Sequence, residues 1–260
     1  MNKTFDFKRF GKYFSYDLLS SWRKAGVSVI VTALLPLWFF FIYELICLVF
    51  TGHFRPFNHG NLPAYFISFA VTAIMFPSRV YGHLTKKKAG SDWILLPAST
   101  MEKYVSMILV TCVVLPIVWF ATICACDFAL SSFFVDYGPF AAFKPFEIMD
   151  KLFEQISADV PYFFNGLSTI YISWVCNILT FTLGAIFFRK NKVVYTFLAL
   201  FAIGLVFTIG LGIVADNSTA LTVSGEDIMN SLNTGSVIIY CVEISLLLFG
   251  IFCRIKTLKH

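Results

Sequence analysis

Six uninterrupted apolar runs dominate this chain: Gly26–Thr51, Pro63–Tyr81, Tyr104–Cys126, Leu167–Phe188, Val193–Val214 and Gly235–Phe252. A helix needs about 20 such residues to cross about 30 Å of hydrocarbon. Inside a bilayer every backbone polar group must be satisfied within the protein, so a spanning segment is either a helix or a strand of a closed barrel. These runs do not alternate, which argues against a barrel. Composition points the same way. Hydrophobic residues make up 58% of the 260 positions and charged residues 13%, against about 25% charged in a soluble domain. Too few charges are present to cover a water-facing surface. The expected fold is therefore all-α, a polytopic membrane bundle of six transmembrane helices with interfacial amphipathic helices. The first run begins after residue 25 and is too long for a signal-peptide core, so no cleavable leader is expected.

The placement of cations gives the orientation. With six spans both termini lie on one side, and that side receives 17 of the 20 Lys and Arg residues. Only Arg55, Lys144 and Lys151 fall on the other side, together with nine acidic residues. The positive-inside rule then places both termini in the cytoplasm. The net charge of +5 follows from topology, and nucleic-acid binding is not expected.

Outside the spans, two cytoplasmic segments carry structure. Residues 1–25 read as an interfacial amphipathic helix: Phe7, Phe10, Phe14, Leu18 and Trp22 form one apolar stripe, with Lys8, Arg9 and Lys12 off it. Gly26 is expected to allow a turn into the transmembrane domain, 26–260. Residues 82–103 connect the second and third runs. There Ser91 or Asp92 would cap a short turn through Trp93, Ile94, Leu95 and Leu96, ended by Pro97. Ser99 with Glu102 makes a capping box that opens the third span. A short apolar turn between two caps suits docking against a partner, and equally suits a tight connection with Trp93 at headgroup level.

On the opposite side, the outer loop 127–166 is expected to hold a second amphipathic helix built on Ile148, Met149, Leu152, Phe153 and Ile156. Ser224 with Asp227 is a further capping box before the sixth span. Within the spans, Glu44 and Glu243 are ionisable groups at a costly depth, and with Asn177 they are candidates for an intramembrane polar path. Asn177 also belongs to a stripe of small and polar residues, Thr169, Ser173, Asn177, Thr180 and Gly184. A second stripe is Gly204, Thr208 and Gly212. Both suit close helix packing, within the chain or between copies. Pro36, Pro77 and Pro116 are expected to kink the first three spans. The seven cysteines fall in or at the ends of spans and read as small core residues.

No phosphate-binding loop, zinc-protease motif or hydrolase elbow occurs. The chain is not expected to be an enzyme, and no cofactor or metal is expected. The stretch Leu95-Leu-Pro-Ala-Ser-Thr-Met-Glu-Lys-Tyr104, with the opening Phe5-Asp-Phe-Lys-Arg-Phe10, resembles small six-span permeases of the type-2 ABC exporter class, such as those of Bacteroidota-type bacteria. That resemblance implies a transport subunit lying in a bacterial inner membrane and paired with a second permease chain, identical or related. A cytoplasmic ABC ATPase subunit would drive it through a coupling helix within 82–103, with Trp93, Ile94, Leu95, Leu96 and Glu102 as coupling candidates. A non-transporting sensor or assembly protein would use the same basic face, and the residues leave both functions open.

Overall fold

The computed structural model describes residues 5–53, 62–85, 93, 95–134, 166–217 and 225–258. All regular structure among them is helical. Helix α1 runs from Phe7 to Ala33 and α2 from Leu35 to Thr51. Helix α3 covers Leu62–Val80 and runs into a 3₁₀ turn at Gly82–Thr85. Helix α4 (Thr100–Leu109) continues through a π-helical turn at Val110–Val114 into α5 (Leu115–Phe133). The chain ends with α6 (Gly166–Phe187), α7 (Lys192–Asn217) and α8 (Gly225–Thr257).

Three continuous helical stretches are long and apolar enough to cross a membrane: Phe7–Thr51, Thr100–Phe133 and Ile238–Thr257. A fourth is reached if Tyr171–Phe187 and Lys192–Val206, bent by 119°, form one broken span. Helix α3 adds a shorter apolar stretch, Ala64–Val80. These helices suit a membrane protein, with a span count of three or four by length and composition.

The first helix corrects the expected turn at Gly26. Asp6 caps it in extended conformation, its carboxylate accepting from the Lys8 amide at 2.9 Å. The helix then passes through Gly26 without interruption. A glycine inside a helix costs only about 1 kcal/mol relative to alanine and keeps its N–H. The break comes instead at Leu34, just before Pro36. Proline lacks the N–H that would serve the carbonyl four residues back, which is Thr32. The Ser68 hydroxyl, from α3, donates to that carbonyl at 2.6 Å.

The same device recurs at Pro116, whose missing N–H leaves the Cys112 carbonyl without its usual donor. The backbone relaxes into the π turn just before it, and the Tyr171 hydroxyl of α6 donates to the Cys112 carbonyl at 3.0 Å. Both carbonyls are thus served from a neighbouring helix, the usual way a membrane helix tolerates proline. The kinks are pinned by tertiary contacts.

The main core brings together Val29, Phe76, Met107, Trp174, Ile178, Ile186 and Ile251 from α1, α3, α4, α6 and α8. Lipid is as apolar as these side chains, so packing and interhelical hydrogen bonds hold such a bundle. Trp119 Nε1 donates to the Ser68 hydroxyl at 3.0 Å, and Thr72 Oγ1 donates to Thr32 Oγ1 at 2.9 Å. Helix α7 packs most loosely. Thr196 is the one buried residue among its described side chains, held where Gly184 of α6 lacks a Cβ. Gly204 faces open space and Thr208 is exposed, so this part of the second small-residue stripe packs on nothing within the described residues.

Candidate functional site

The start of α1, the end of α3, the start of α4 and the α6–α7 turn meet at one end of the bundle, and their polar side chains join there. Glu102, in the first turn of α4, is fully buried. The capping box forms: the Ser99 hydroxyl accepts from the Glu102 amide at 3.2 Å, and Glu102 Oε2 accepts from the Ser99 amide at 2.8 Å. The same carboxylate grips α1. It accepts from the Asp6 amide at 2.9 Å and from Arg9 Nη2 at 2.6 Å. Arg9 Nε lies 2.9 Å from Oε2, which completes a forked ion pair. The Arg9 guanidinium, reinforced by the two backbone amides, holds the Glu102 carboxyl down at about 2.

Trp93 is the next anchor. Its Nε1 donates to the Tyr13 hydroxyl at 2.9 Å, and its carbonyl accepts from Lys103 Nζ at 2.7 Å. That ammonium also lies 4.7 Å from the centre of the Trp93 ring, a cation–π contact. Burial pushes Lys103 down to about 8. Trp93 is thereby fastened to α1 through Tyr13 and to α4 through Lys103.

Asp17 of α1 is the third anchor, buried between α3 and α4. The Ser106 hydroxyl donates to its Oδ2 at 2.6 Å, and the Tyr81 hydroxyl donates to the same oxygen at 3.3 Å. Burial pushes the Asp17 carboxyl above its ordinary range, against the pull of these two hydroxyls and of the Lys24 charge. Lys24 lies two helical turns further along the same face of α1, and burial lowers its ammonium. His83 Nδ1 is 2.7 Å from the Val80 carbonyl. A carbonyl only accepts, so Nδ1 carries the proton, and in the neutral ring Nε2 accepts from Lys24 Nζ at 3.3 Å. Asp17, Ser20, Lys24, Tyr81, His83 and Trp93 share the lining of a cavity of about 400 Å³.

Lys192 closes the arrangement at the α6–α7 turn. Its ammonium donates to the Ala185 and Phe188 carbonyls at 2.8 Å each and to the Thr85 hydroxyl of the 3₁₀ turn. Arg254 Nε donates to the Ile186 carbonyl at 3.0 Å. Both cations serve the carbonyls left over at the C-terminus of α6, where the helix dipole favours positive charge.

The coupling candidates separate by position. Leu95 is 80% exposed. Leu96 is half-buried on the cavity wall, and Trp93 is half-buried on Tyr13. Glu102 is enclosed by Arg9 and its own cap, and its carboxylate fastens α1. Ile94, Ser91 and Asp92 lie outside the described residues, as do Ser224, the segment Lys86–Lys88 and the helix expected at Ile148–Ile156.

The polar-path candidates are not brought together. Glu44 is buried on α2, which packs on α3 and α1, whereas α6 and α8 pack on each other. Asn177 and Glu243 lie on those two helices, both exposed, and the Asn177 amide donates back to the Ser173 carbonyl at 2.7 Å. Among the described residues no group of three or more His, Cys, Asp or Glu is placed to hold a metal ion, and all seven cysteines are free.

The apolar stripe of α1 is expected to lie along the inner leaflet surface. Phe7 and Trp22 of that stripe are exposed, and the buried positions are Tyr13, Asp17, Ser21 and Ala25, one residue over. Their spacing of four was visible in the sequence. Their polarity disguised it, because a polar stripe on a basic helix reads as its water-facing side. Compared with family models, with curated proteins and with solved structures, the chain matches none.

Proposed function

We propose that this chain is the membrane-spanning permease subunit of an ABC-type exporter, with six spans, cytoplasmic termini and a separate ATPase that works on residues 82–103. The six spans would be the outer part of α1 with α2, α3, the α4–α5 stretch, α6, α7 and α8. An even number puts both termini on the side that receives 17 of 20 cations.

The observation that carries this reading is the exposure of Leu95 on an anchored turn. Leu95 is 80% exposed, yet Trp93, two residues before it, is bonded to Tyr13 of α1 and to Lys103 of α4. Force applied at Leu95 would pass into α1 and α4 through these bonds. It would reach α3 through Tyr81, Asp17 and Ser106. A partner that closes on ATP binding would have three helices to tilt from one contact.

Leu95→Asp tests this. An exposed substitution away from caps and cores changes stability by about 0.5 kcal/mol or less, so the variant should insert and fold normally. In a reconstituted complex it is expected to abolish the coupling of ATP hydrolysis to transport. Coupling equal to that of the unsubstituted chain would reject the proposal and favour a sensor or assembly role for the same face.

A further inference from the structure

We propose that the cavity between α1, the 3₁₀ turn and the Trp93 turn binds a phosphoethanolamine group, with Asp17 receiving its ammonium and Lys24 its phosphate. The inference is independent of the exporter reading, because it concerns what fills this cavity in the chain alone.

Three features select that chemistry. The first is the state of Asp17. Both hydroxyls that reach it land on Oδ2, which leaves Oδ1 able to accept a further donor at the cavity that Asp17 helps to line. A buried carboxylate oxygen held in place by its partner atom is a preformed acceptor for an N–H donor. The second is Lys24. One of its three N–H bonds points to His83 Nε2, which leaves two donors for an anionic oxygen. Ser20, between them on α1, adds a hydroxyl to the same wall. A simple anion would meet the Asp17 carboxylate, and a simple cation would meet the Lys24 ammonium. A ligand with both charges satisfies both residues.

The third feature is size and place. The cavity volume of about 400 Å³ lies in the range of small-ligand sites, about 300–1,000 Å³, and admits a headgroup. Tyr16, Tyr81 and Trp93 line it, as amphipathic aromatics do at headgroup level. Asp17 and Lys24 precede the first apolar run, and Tyr81 ends the second. The group would therefore arrive either on a lipid of the adjacent leaflet or free in water.

The test uses the purified full chain in detergent. Retention of phosphatidylethanolamine, phosphatidylcholine and phosphatidylglycerol is compared by native mass spectrometry. Soluble O-phosphoethanolamine is titrated separately, with intrinsic tryptophan fluorescence as the readout. Phosphatidylethanolamine is expected to be retained at least about tenfold better than the other two. Choline offers Asp17 no N–H, and glycerol offers it no charge. Binding of the lipid alone would assign the leaflet as the source, and equal binding of the soluble compound would assign a free headgroup; each supports the site. Asp17→Asn and Lys24→Met should each remove the preference. Ser20→Trp fills the cavity without altering either charge and should remove binding altogether, which decides the matter if Asp17→Asn does not fold. Equal retention of all three lipids together with no soluble binding would overturn the proposal, as would a preference that survives Ser20→Trp in folded protein.

Discussion

Arg9→Ala is expected to lower stability clearly, because it leaves the buried Glu102 carboxylate without its forked guanidinium partner. Glu102 is fully buried; the Arg9 guanidinium donates to it, and so do the Asp6 and Ser99 amides. Thermal unfolding in detergent of Arg9→Ala, Glu102→Gln and the double variant should show strong coupling, with the double variant costing less than the two singles together. The pair also sets an acid limit. Glu102 is held at about 2 against an ordinary value of 4.5. Its folded value is depressed, so its contribution is fully present above about 4.5. It is lost as pH falls from there through about 2, because the unfolded chain takes up the proton first. Arg9→Ala should flatten that part of the stability profile.

Ser68→Ala is expected to be the costliest single change inside the spans. Its hydroxyl serves two groups at once, donating to the Thr32 carbonyl and accepting from Trp119 Nε1. Hydrogen bonds between membrane helices average about 0.6 kcal/mol, because the separated helices find other partners. The Thr32 carbonyl lacks its usual donor within its own helix, since the residue four ahead is Pro36, and the Leu34 amide that also reaches it is already bonded to the Ile30 carbonyl. A buried group left unsatisfied costs about 1–3 kcal/mol, so the loss at Ser68 should exceed the membrane average and reach about 2 kcal/mol or more. Thr72→Val is the control. Thr72 contacts Thr32 Oγ1, which keeps its own bonds to the Ser28 and Val29 carbonyls, and its loss should stay near the average. Unfolding of both variants in the same micelles gives the comparison.

The helices were legible because span length is set by the bilayer and needs no knowledge of neighbours. The Ser99–Glu102 cap was legible for the same reason: both partners lie within one turn. What escaped was every contact whose two halves are far apart in the chain. Nothing near Arg9 signals Glu102, 93 residues away, and nothing near Pro36 or Pro116 signals that Ser68 and Tyr171 would serve the carbonyls they strand. Asp17 was missed for a different reason. Its helix has an apolar stripe, and the usual inference assigns burial to that stripe. Here the neighbouring positions Tyr13 and Asp17 face inward, where Trp93, Tyr81 and Ser106 supply hydrogen-bonding partners. Gly26 was given a turn that its modest helix penalty does not require, and the nearby Pro36 produced the break.

Coupling requires Leu95 to lie on the cytoplasmic side, within reach of an ATPase. Leu95→Cys, labelled with a membrane-impermeant maleimide against the native seven-cysteine chain as background, tests this most directly. The turn should be silent in intact cells and labelled once the inner membrane is opened, with labelling blocked by the bound ATPase. Labelling of Leu95→Cys from outside intact cells would contradict the orientation and the coupling role together.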